Sequence, residues 1–485
     1  MNAIFEQING FLASIFFFDI FFGQIEDTSM PFIVAWLIAG GVFLTFRFGF
    51  INVRMFGHAF KIITGKYKTE DDVGEITPFQ SLTTALSATV GLGNIAGVAI
   101  AISIGGPGAT FWMILAGFFG MTLKFTEVTL AQIYRQNRRD GSLMGGAMQY
   151  LSIGLAAKGH KKFGRYLAIT FSLLAIGGSL GAGNAFQASQ ALGAISERLP
   201  FFQSYPIVFG IIMAVAVGFV IIGGITRIAS TAEKIVPLMV VIYLLASMWI
   251  LVVNASEVPH AIGLIFHEAF APTAAAGGLI GVLVQGFKRA AFSSEAGIGS
   301  AAIVHSTACV KYPVRQGMVA LYEPFIDTIV ICSMTALVIV TTGVYAADGE
   351  FANLVASRQG AALTSAAYGT VISWFPVILS FSIVLFAFST MISWSYYGER
   401  SWTYLFGEKY MLTYKLIFIS FTVIASVVSA SAVLEFSDLL ILAMALPNII
   451  GLYILQGDVK TNLDAYLAML KSGKLDEEAI RKKKH

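Results

Sequence analysis

Eleven stretches of about 20 mainly apolar residues follow one another along this chain, each long enough for a helix to cross the hydrocarbon core of a bilayer. They lie near 30–47, 79–104, 108–134, 163–194, 206–223, 228–253, 277–308, 316–343, 369–396, 412–429 and 432–455. Lipid offers no partner for bare N–H and C=O groups, so only helices and closed barrels span it. The runs lack the alternation of barrel strands, so an all-α polytopic membrane protein with 11 transmembrane helices is expected. Composition agrees: 56% of the 485 residues are hydrophobic and only 12% charged, against roughly 25% charged in soluble domains. The Phe-rich first 22 residues carry Glu6 and Asp19 and read as an interfacial helix, not a twelfth span. No basic segment opens the chain, so a cleaved signal peptide is not expected.

Numbered in order, the runs put alternate loops on the same side. Segments 47–78, 135–165, 224–236, 309–315, 397–411 and 456–485 hold 25 of the 31 Lys and Arg residues, while the opposite loops hold only Arg198 and Arg358. The positive-inside rule places the basic segments and the RKKKH tail in the cytoplasm and the N-terminus outside, in the cell (inner) membrane. A net charge of only +3 gives no electrostatic footprint for nucleic acid. Cys309 and Cys332 form no disulfide framework.

Residues 87–99 read SATVGLGNIAGVA and residues 293–305 read SSEAGIGSAAIVH. An offset of 206 pairs Ser87 with Ser293, Gly91 with Gly297, Leu92 with Ile298, Gly93 with Gly299 and Asn94 with Ser300, and also Pro107 with Pro313. The second copy lies five runs after the first, an odd number, so the two must cross the bilayer in opposite directions. That is the signature of a five-plus-five inverted repeat. The expected organisation is 1–78 (interfacial helix, accessory N-terminal span and cytoplasmic loop), 79–253 (first repeat), 254–455 (second, inverted repeat) and 456–485 (cytoplasmic tail).

Glycines in mid-span lower helix propensity by about 1 kcal/mol each, and an unwound turn in lipid strands polar backbone at several kcal/mol per group. Such a break survives only where something else satisfies it. Half-helix N-termini offer amides to a carboxylate, and half-helix C-termini offer carbonyls to a cation. Close helix packing through small residues is the plainer alternative.

Other motifs carry less. Gly91, Gly93 and Ala96 satisfy G-x-G-x-x-G/A, but no strand precedes them, which sets aside a dinucleotide site. Gly177, Ser179 and Gly181 satisfy G-x-S-x-G. A hydrolase would need a base beside Ser179, and none of the histidines at 58, 160, 260, 267, 305 and 485 is expected at that depth. His260, His267 and Glu268 form no recognised metal motif and read as interfacial residues of an outer connector. Charges within the runs are functional hypotheses by default, because each costs at least a few kcal/mol at the bilayer centre. Lys124 and Glu127, three apart on one helix face, are expected to neutralise each other. Lys288 and Arg289 are expected to face an outer vestibule. Glu323 and Asp327 share a face and are free to take a proton, meet a base from another helix or line a wet vestibule. Glu295, inside the second copy, either seals unwound backbone or orients the substrate or ion pathway.

The segments GLGNIAGVAIAISIGGPGATFWM, FTEVTLAQIYR, SSEAGIGSAAIVH with the following PVRQG, and ISWSYYGER together give a chain that resembles the alanine or glycine:cation symporter family over nearly its whole length. That family shares its fold with the neurotransmitter:sodium symporters. The resemblance implies sodium-coupled import of a small neutral amino acid, alanine or glycine, by alternating access, with sodium as the coupling ion and no organic cofactor. It implies a transporter in contact with membrane lipid, not an enzyme. Proton coupling through Glu295, Glu323 or Asp327 stays open within that class. An ion channel or an intramembrane enzyme is more remote, because no span carries a continuous polar stripe.

Carried over residue by residue, the resemblance makes Thr89, Gly91, Leu92 and Gly93 the cradle for the substrate carboxylate. It assigns sodium to Ser87 and Val90 of the first broken helix and to Ala387 and Thr390 of the FAFST stretch, an all-oxygen set suited to a hard cation. Asn94 takes the position of an amide ligand to a second ion site. Met391 departs from the pattern, which has a serine there, so Ser389 or water would have to substitute. Asn184 and Gln187 in GAGNAFQASQ offer amides to the substrate or to a neighbouring helix. Ser294 adds a hydroxyl at the second copy, Trp394 a wall limiting side-chain size, and Phe292 a weaker candidate for a lid.

Overall fold

The computed structural model describes residues 2–23, 29–69, 71–138, 143–270 and 278–481. The RKKKH tail beyond Arg481, Arg139 and the first residue of the expected 277–308 span lie outside the described residues. Apart from a two-residue hairpin, Gln136–Asn137 with Leu143–Met144, the regular structure among them is helical.

Among the described residues each of the eleven apolar runs is largely helical, two of them with a break, because a backbone without water satisfies itself most simply within a helix. Among the described residues six helices are long and apolar enough to cross a membrane: Ala109–Ile133, Lys161–Ser196, Gly224–Val253, Pro313–Thr342, Phe375–Phe406 and Ser431–Lys471. The pair Pro78–Thr89 and Gly93–Gly105, bent by 48°, makes a seventh if taken as one span. Phe32–Arg47 and Pro206–Ile221 are shorter, and a 16-residue helix spans only about 24 Å. The molecule is therefore a polytopic, membrane-type helical protein, with six to seven candidate spans among the described residues.

The broken helices sit against the long ones. Ala109–Ile133 packs on Gly278–Ser294 and Pro313–Ala320, while Phe375–Phe406 packs on Lys161–Leu180, Phe186–Ser196 and Pro78–Thr89. Two segments read as loops in the sequence are helical. Ala147–Ala157 buries Met148, Tyr150 and Leu151, and Gly360–Gly369 packs its small residues against the first broken helix. Gly360 permits that approach: a Cβ there would stand 2.1 Å from the Ala96 carbonyl oxygen.

Candidate substrate and ion site

The first broken helix starts from a capping box, in which the Thr77 hydroxyl accepts from the Gln80 amide and the Gln80 side chain accepts from the Thr77 amide, with Pro78 at N1. The helix ends at Thr89, Val90 is extended (φ −74°, ψ 90°), and a π-helical turn, Gly93–Gly97, restarts it. Side chains satisfy the interrupted backbone. The Asn94 Oδ1 accepts from the Gly91 amide at 2.9 Å, the Thr390 hydroxyl donates to the Ser87 carbonyl at 3.0 Å, and the Thr364 hydroxyl donates to the Ile95 carbonyl at 2.9 Å. The Ser87 hydroxyl donates to the Ser389 carbonyl at 2.7 Å, so Ser87 and the Ser389–Thr390 pair bond in both directions.

The second break follows Gly278–Ser294 and runs from Glu295 to Ser300 before a five-residue helix, Ala301–His305. The repeat offset carries 89–94 onto these positions. Gly297 and Gly299 are left-handed (φ +88° and +82°), as glycine alone does cheaply, and Glu295 at +56° is not a glycine. Asn448 plugs the break: its Nδ2 donates to the Gly297 carbonyl at 2.8 Å and to Glu127 at 2.7 Å, and its Oδ1 accepts from the Tyr150 hydroxyl. The Ser300 hydroxyl donates to Glu295.

The two broken helices touch beside their breaks. A Cβ on Gly93 would lie 3.1 Å from the Cα of Ser293, in the last turn before the second break, so backbone meets backbone there. Asp327 ties the junction together, accepting from the Asn94 Nδ2 at 2.5 Å, the Ser293 hydroxyl at 2.9 Å and the Thr328 hydroxyl at 2.7 Å. No ion pair to Asp327 is formed among the described residues.

The structure sorts the remaining candidates. Gln187 donates to the Ala182 carbonyl at 3.0 Å, while its Oε1 is buried without a hydrogen-bond donor among the described residues, 3.6 Å from where a Gly91 Cβ would stand. Asn184 is turned away. Its Nδ2 donates to the Phe418 carbonyl at 2.6 Å and its Oδ1 accepts from Thr422 at 2.9 Å, so the interhelical bond uses the amide. The Thr89 hydroxyl back-bonds to Ala85 and Leu86, and that of Ser294 to Ala290, both within their own helices. Leu92, Val90 and Ala387 are buried, Ala387 about one turn before Thr390. Met391 is buried and offers no oxygen, and the Ser389 hydroxyl donates its proton to the Phe386 carbonyl while keeping its lone pairs. Trp394 packs against the π-helical turn Gly181–Ala185, where a Gly183 Cβ would meet its Cβ at 2.3 Å. Phe292 stacks edge-to-face on Phe186, ring centroids 5.0 Å apart.

Two charge expectations are corrected, and for Glu323 one of its alternatives, a base from another helix, is realised. Lys124 pairs with Glu323 of another helix at 3.1 Å, while Glu127 turns to Asn448, because the intrahelical neighbour is not the nearest buried counter-charge. Glu323 also meets His305, which is held in turn by Ser81 and Gln316. Arg289 is only 2% exposed and pairs with Asp438, so for Arg289 burial against a carboxylate replaces the expected vestibule position, while Lys288, which pairs with the same carboxylate, stays partly exposed. Ser179 donates to the Trp394 carbonyl and shares a bond with the Tyr414 hydroxyl, neither of which is the base a hydrolase requires. Among the described residues no group of three or more His, Cys, Asp or Glu could hold a metal ion, so His260, His267 and Glu268 form none. Sequence reading missed Asn448, Asp438 and Thr364. Only Asp438 carried a signal, as a charge inside an apolar run.

Comparisons with known proteins agree with this geometry. A model of the sodium:alanine symporter family matches residues 16–480. The chain is 38% identical over 437 residues to the sodium/alanine symporter AgcS of Methanococcus maripaludis, covering 90% of this chain and 94% of that protein. It is 36% identical to the putative sodium/proton-dependent alanine carrier protein YrbD of Bacillus subtilis, covering 87% of each, and 33% identical to the probable sodium/glutamine symporter GlnT of that organism, covering 91% of this chain and 89% of that one. Among solved structures, MhsT in complex with L-phenylalanine superposes with a TM-score of 0.53 at 14% identity, over 79% of this chain and 98% of that one, which shows a shared fold. These relatives are transporters, not enzymes. A chain whose two broken helices meet beside their breaks, and whose matched residues run almost from end to end, belongs to the sodium:alanine symporter family.

Proposed function

We propose that the protein imports a small neutral amino acid, alanine or glycine, together with sodium, by alternating access around the junction of its two broken helices. In this reading the apolar runs make 11 spans, ten of them a five-plus-five inverted repeat, with the N-terminus outside and the C-terminus in the cytoplasm of the cell membrane. The observation that carries it is the contact between the broken helices, where Gly93 abuts Ser293 and Ser87 exchanges bonds with the Ser389–Thr390 pair.

Sodium is a substrate here, and the oxygens for it are the carbonyls of Ser87, Val90 and Ala387 with the Thr390 hydroxyl. To ligate, that hydroxyl turns its proton away from the Ser87 carbonyl it now bonds and presents a lone pair. Met391 contributes no hydroxyl, so beside Thr390 the set either has one ligand fewer or is completed by Ser389 or water. The amino acid's carboxylate sits on the amides near Leu92 and Gly93, at the start of the restarted helix, where the helix dipole favours an anion. Its ammonium takes the buried, unpartnered Gln187 Oε1, an acceptor whose burial is otherwise a cost. Trp394 bounds the side chain. Asn184 leaves the substrate set because its amide is committed to another helix, and Thr89 and Ser294 contribute backbone rather than hydroxyls.

Sodium that joins the first broken helix to Phe375–Phe406 orders the amide cradle before the amino acid arrives. That coupling is reciprocal. Coupling to protons has one observation in its favour, since Asp327 bridges the two breaks with neutral partners alone. Uptake of radiolabelled alanine and glycine into vesicles, with external sodium exchanged for choline and pH varied, separates the readings. Uptake lost in choline at every pH supports sodium. Uptake preserved in choline and driven by an inward proton gradient overturns it.

A further inference from the structure

A cavity of about 510 Å³ lies away from the junction, at the other end of the first broken helix, between the Phe56–Ile63 helix, the loop after it and the start of Pro78–Thr89. Its size is that of a ligand site. Ile62, Ile63, Phe79 and Val310 give it apolar walls, and Lys68 and Arg315 give it basic ones. Phe79 is 40% exposed and Lys68 is exposed, so the mouth is apolar on one side and cationic on the other.

Arg315 is the unusual member. It is 2% exposed, yet among the described residues its Nε and Nη2 make no hydrogen bond of good geometry, the Tyr466 hydroxyl being a close neighbour. Among the described residues the carboxylate paired with it is Asp72, 3.6 Å from Nη1. That carboxylate is already engaged by the Thr69 amide at 2.8 Å, the Thr69 hydroxyl at 3.1 Å and the Lys311 amide at 2.9 Å. Tyr312 and Tyr67 stack near the guanidinium, 4.8 and 5.9 Å to the ring centroids, and hold its plane without accepting its protons. A buried guanidinium with two idle donors is costly unless an anion completes it, and its planar fork suits a phosphate.

We propose that this cavity is a binding site for one anionic phospholipid, with the headgroup phosphate on Arg315 and Lys68 and the acyl chains leaving past Ile63 and Phe79. A soluble phosphate would use the same donors but has no need of the apolar walls, which is why the lipid is the occupant named. It packs against Thr77, Pro78 and Phe79, the capped start of the first broken helix.

The test uses the full chain in neutral detergent and follows thermal unfolding while phosphatidylglycerol, phosphatidylcholine or glycerol 1-phosphate is titrated. Phosphatidylglycerol raises the unfolding temperature saturably and the other two do not. Lys68→Gln weakens the apparent affinity about fivefold, the factor one surface lysine contributes, and Phe79→Ser weakens it as well, while Lys162→Gln on another surface leaves it unchanged. Arg315→Gln abolishes the shift. Because that buried variant can fail to fold, the exposed Lys68 and Phe79 variants decide by themselves. Equal shifts with phosphatidylcholine, equal shifts with glycerol 1-phosphate, or unaltered affinity in Lys68→Gln and Phe79→Ser overturn the proposal.

Discussion

Gly91→Ala isolates the contact between the first break and the Phe375–Phe406 helix. Gly91 does not have a positive φ, so alanine meets no backbone strain there, and its cost is contact alone. The new Cβ would stand 2.3 Å from the Thr390 Oγ1 but 3.4 Å from the Thr390 Cβ. About 1 Å of separation is needed, and overpacking of that kind costs about 1–3 kcal/mol. Opening the gap breaks the Thr390–Ser87 bond, so the half-saturating sodium concentration for alanine uptake should rise by about tenfold or more, 1.4 kcal/mol per decade. Thr390→Ala removes Oγ1 and leaves an ordinary contact. The double variant should therefore regain thermal stability lost in Gly91→Ala, a non-additivity of 1 kcal/mol or more, yet still respond poorly to sodium. Proteoliposome uptake and thermal unfolding on the four proteins read both effects. Additive stabilities, or normal sodium activation in Gly91→Ala, would refute the reasoning.

Other perturbations test neighbouring parts. Asn448→Ala leaves the Gly297 carbonyl, Glu127 and the Tyr150 hydroxyl without their partner; at about 1–3 kcal/mol per buried unsatisfied group, unfolding should occur several kcal/mol more easily, and a stability equal to wild type would show that the second break does not need its plug. Lys124→Met strands Glu323 beside His305 and should cost about 3–5 kcal/mol, with Glu323→Gln recovering part of it; no recovery would disprove the pairing. Burial pushes the His58 ring down to about 4, helped by Lys61 and Arg315. A lowered folded-state value favours the neutral ring, so this stability is present above the unfolded value near 6.5 and is lost as pH falls towards 4. Because the ring is partly exposed, screening discounts the effect to roughly 1–2 kcal/mol, and in His58→Gln the slope of unfolding temperature between pH 6.5 and 4 should flatten; an unchanged slope sinks that assignment.

The breaks were legible because they are local. Glycines at 91, 93, 297 and 299 weaken the helix where they stand, and their common offset needs no knowledge of packing. The junction of Ser87 with Thr390 came through resemblance, since nothing near Ser87 in the chain points three hundred residues ahead. What stayed hidden depends on which helices become neighbours. Asn448 is a lone polar residue in an apolar run, and its sequence environment does not say that it faces Gly297. Lys124 was matched to Glu127 by proximity along one helix, whereas the fold brings Glu323 closer. The Gly360–Gly369 helix is short and rich in small residues, so it reads as a loop until Ala96 and Ile95 are seen to need it. Fewer than eleven helices are long enough to cross by themselves for a plainer reason: helices such as Phe32–Arg47 are apolar but short, and a break divides others.

The most direct measurement is alanine binding to the purified protein by calorimetry across a series of sodium concentrations, paired with sodium binding across a series of alanine concentrations. A shared junction requires alanine to tighten as sodium rises, and sodium to tighten by the same factor as alanine rises, with both effects lost in Thr390→Ala. Alanine affinity that stays constant from choline to saturating sodium would contradict the account.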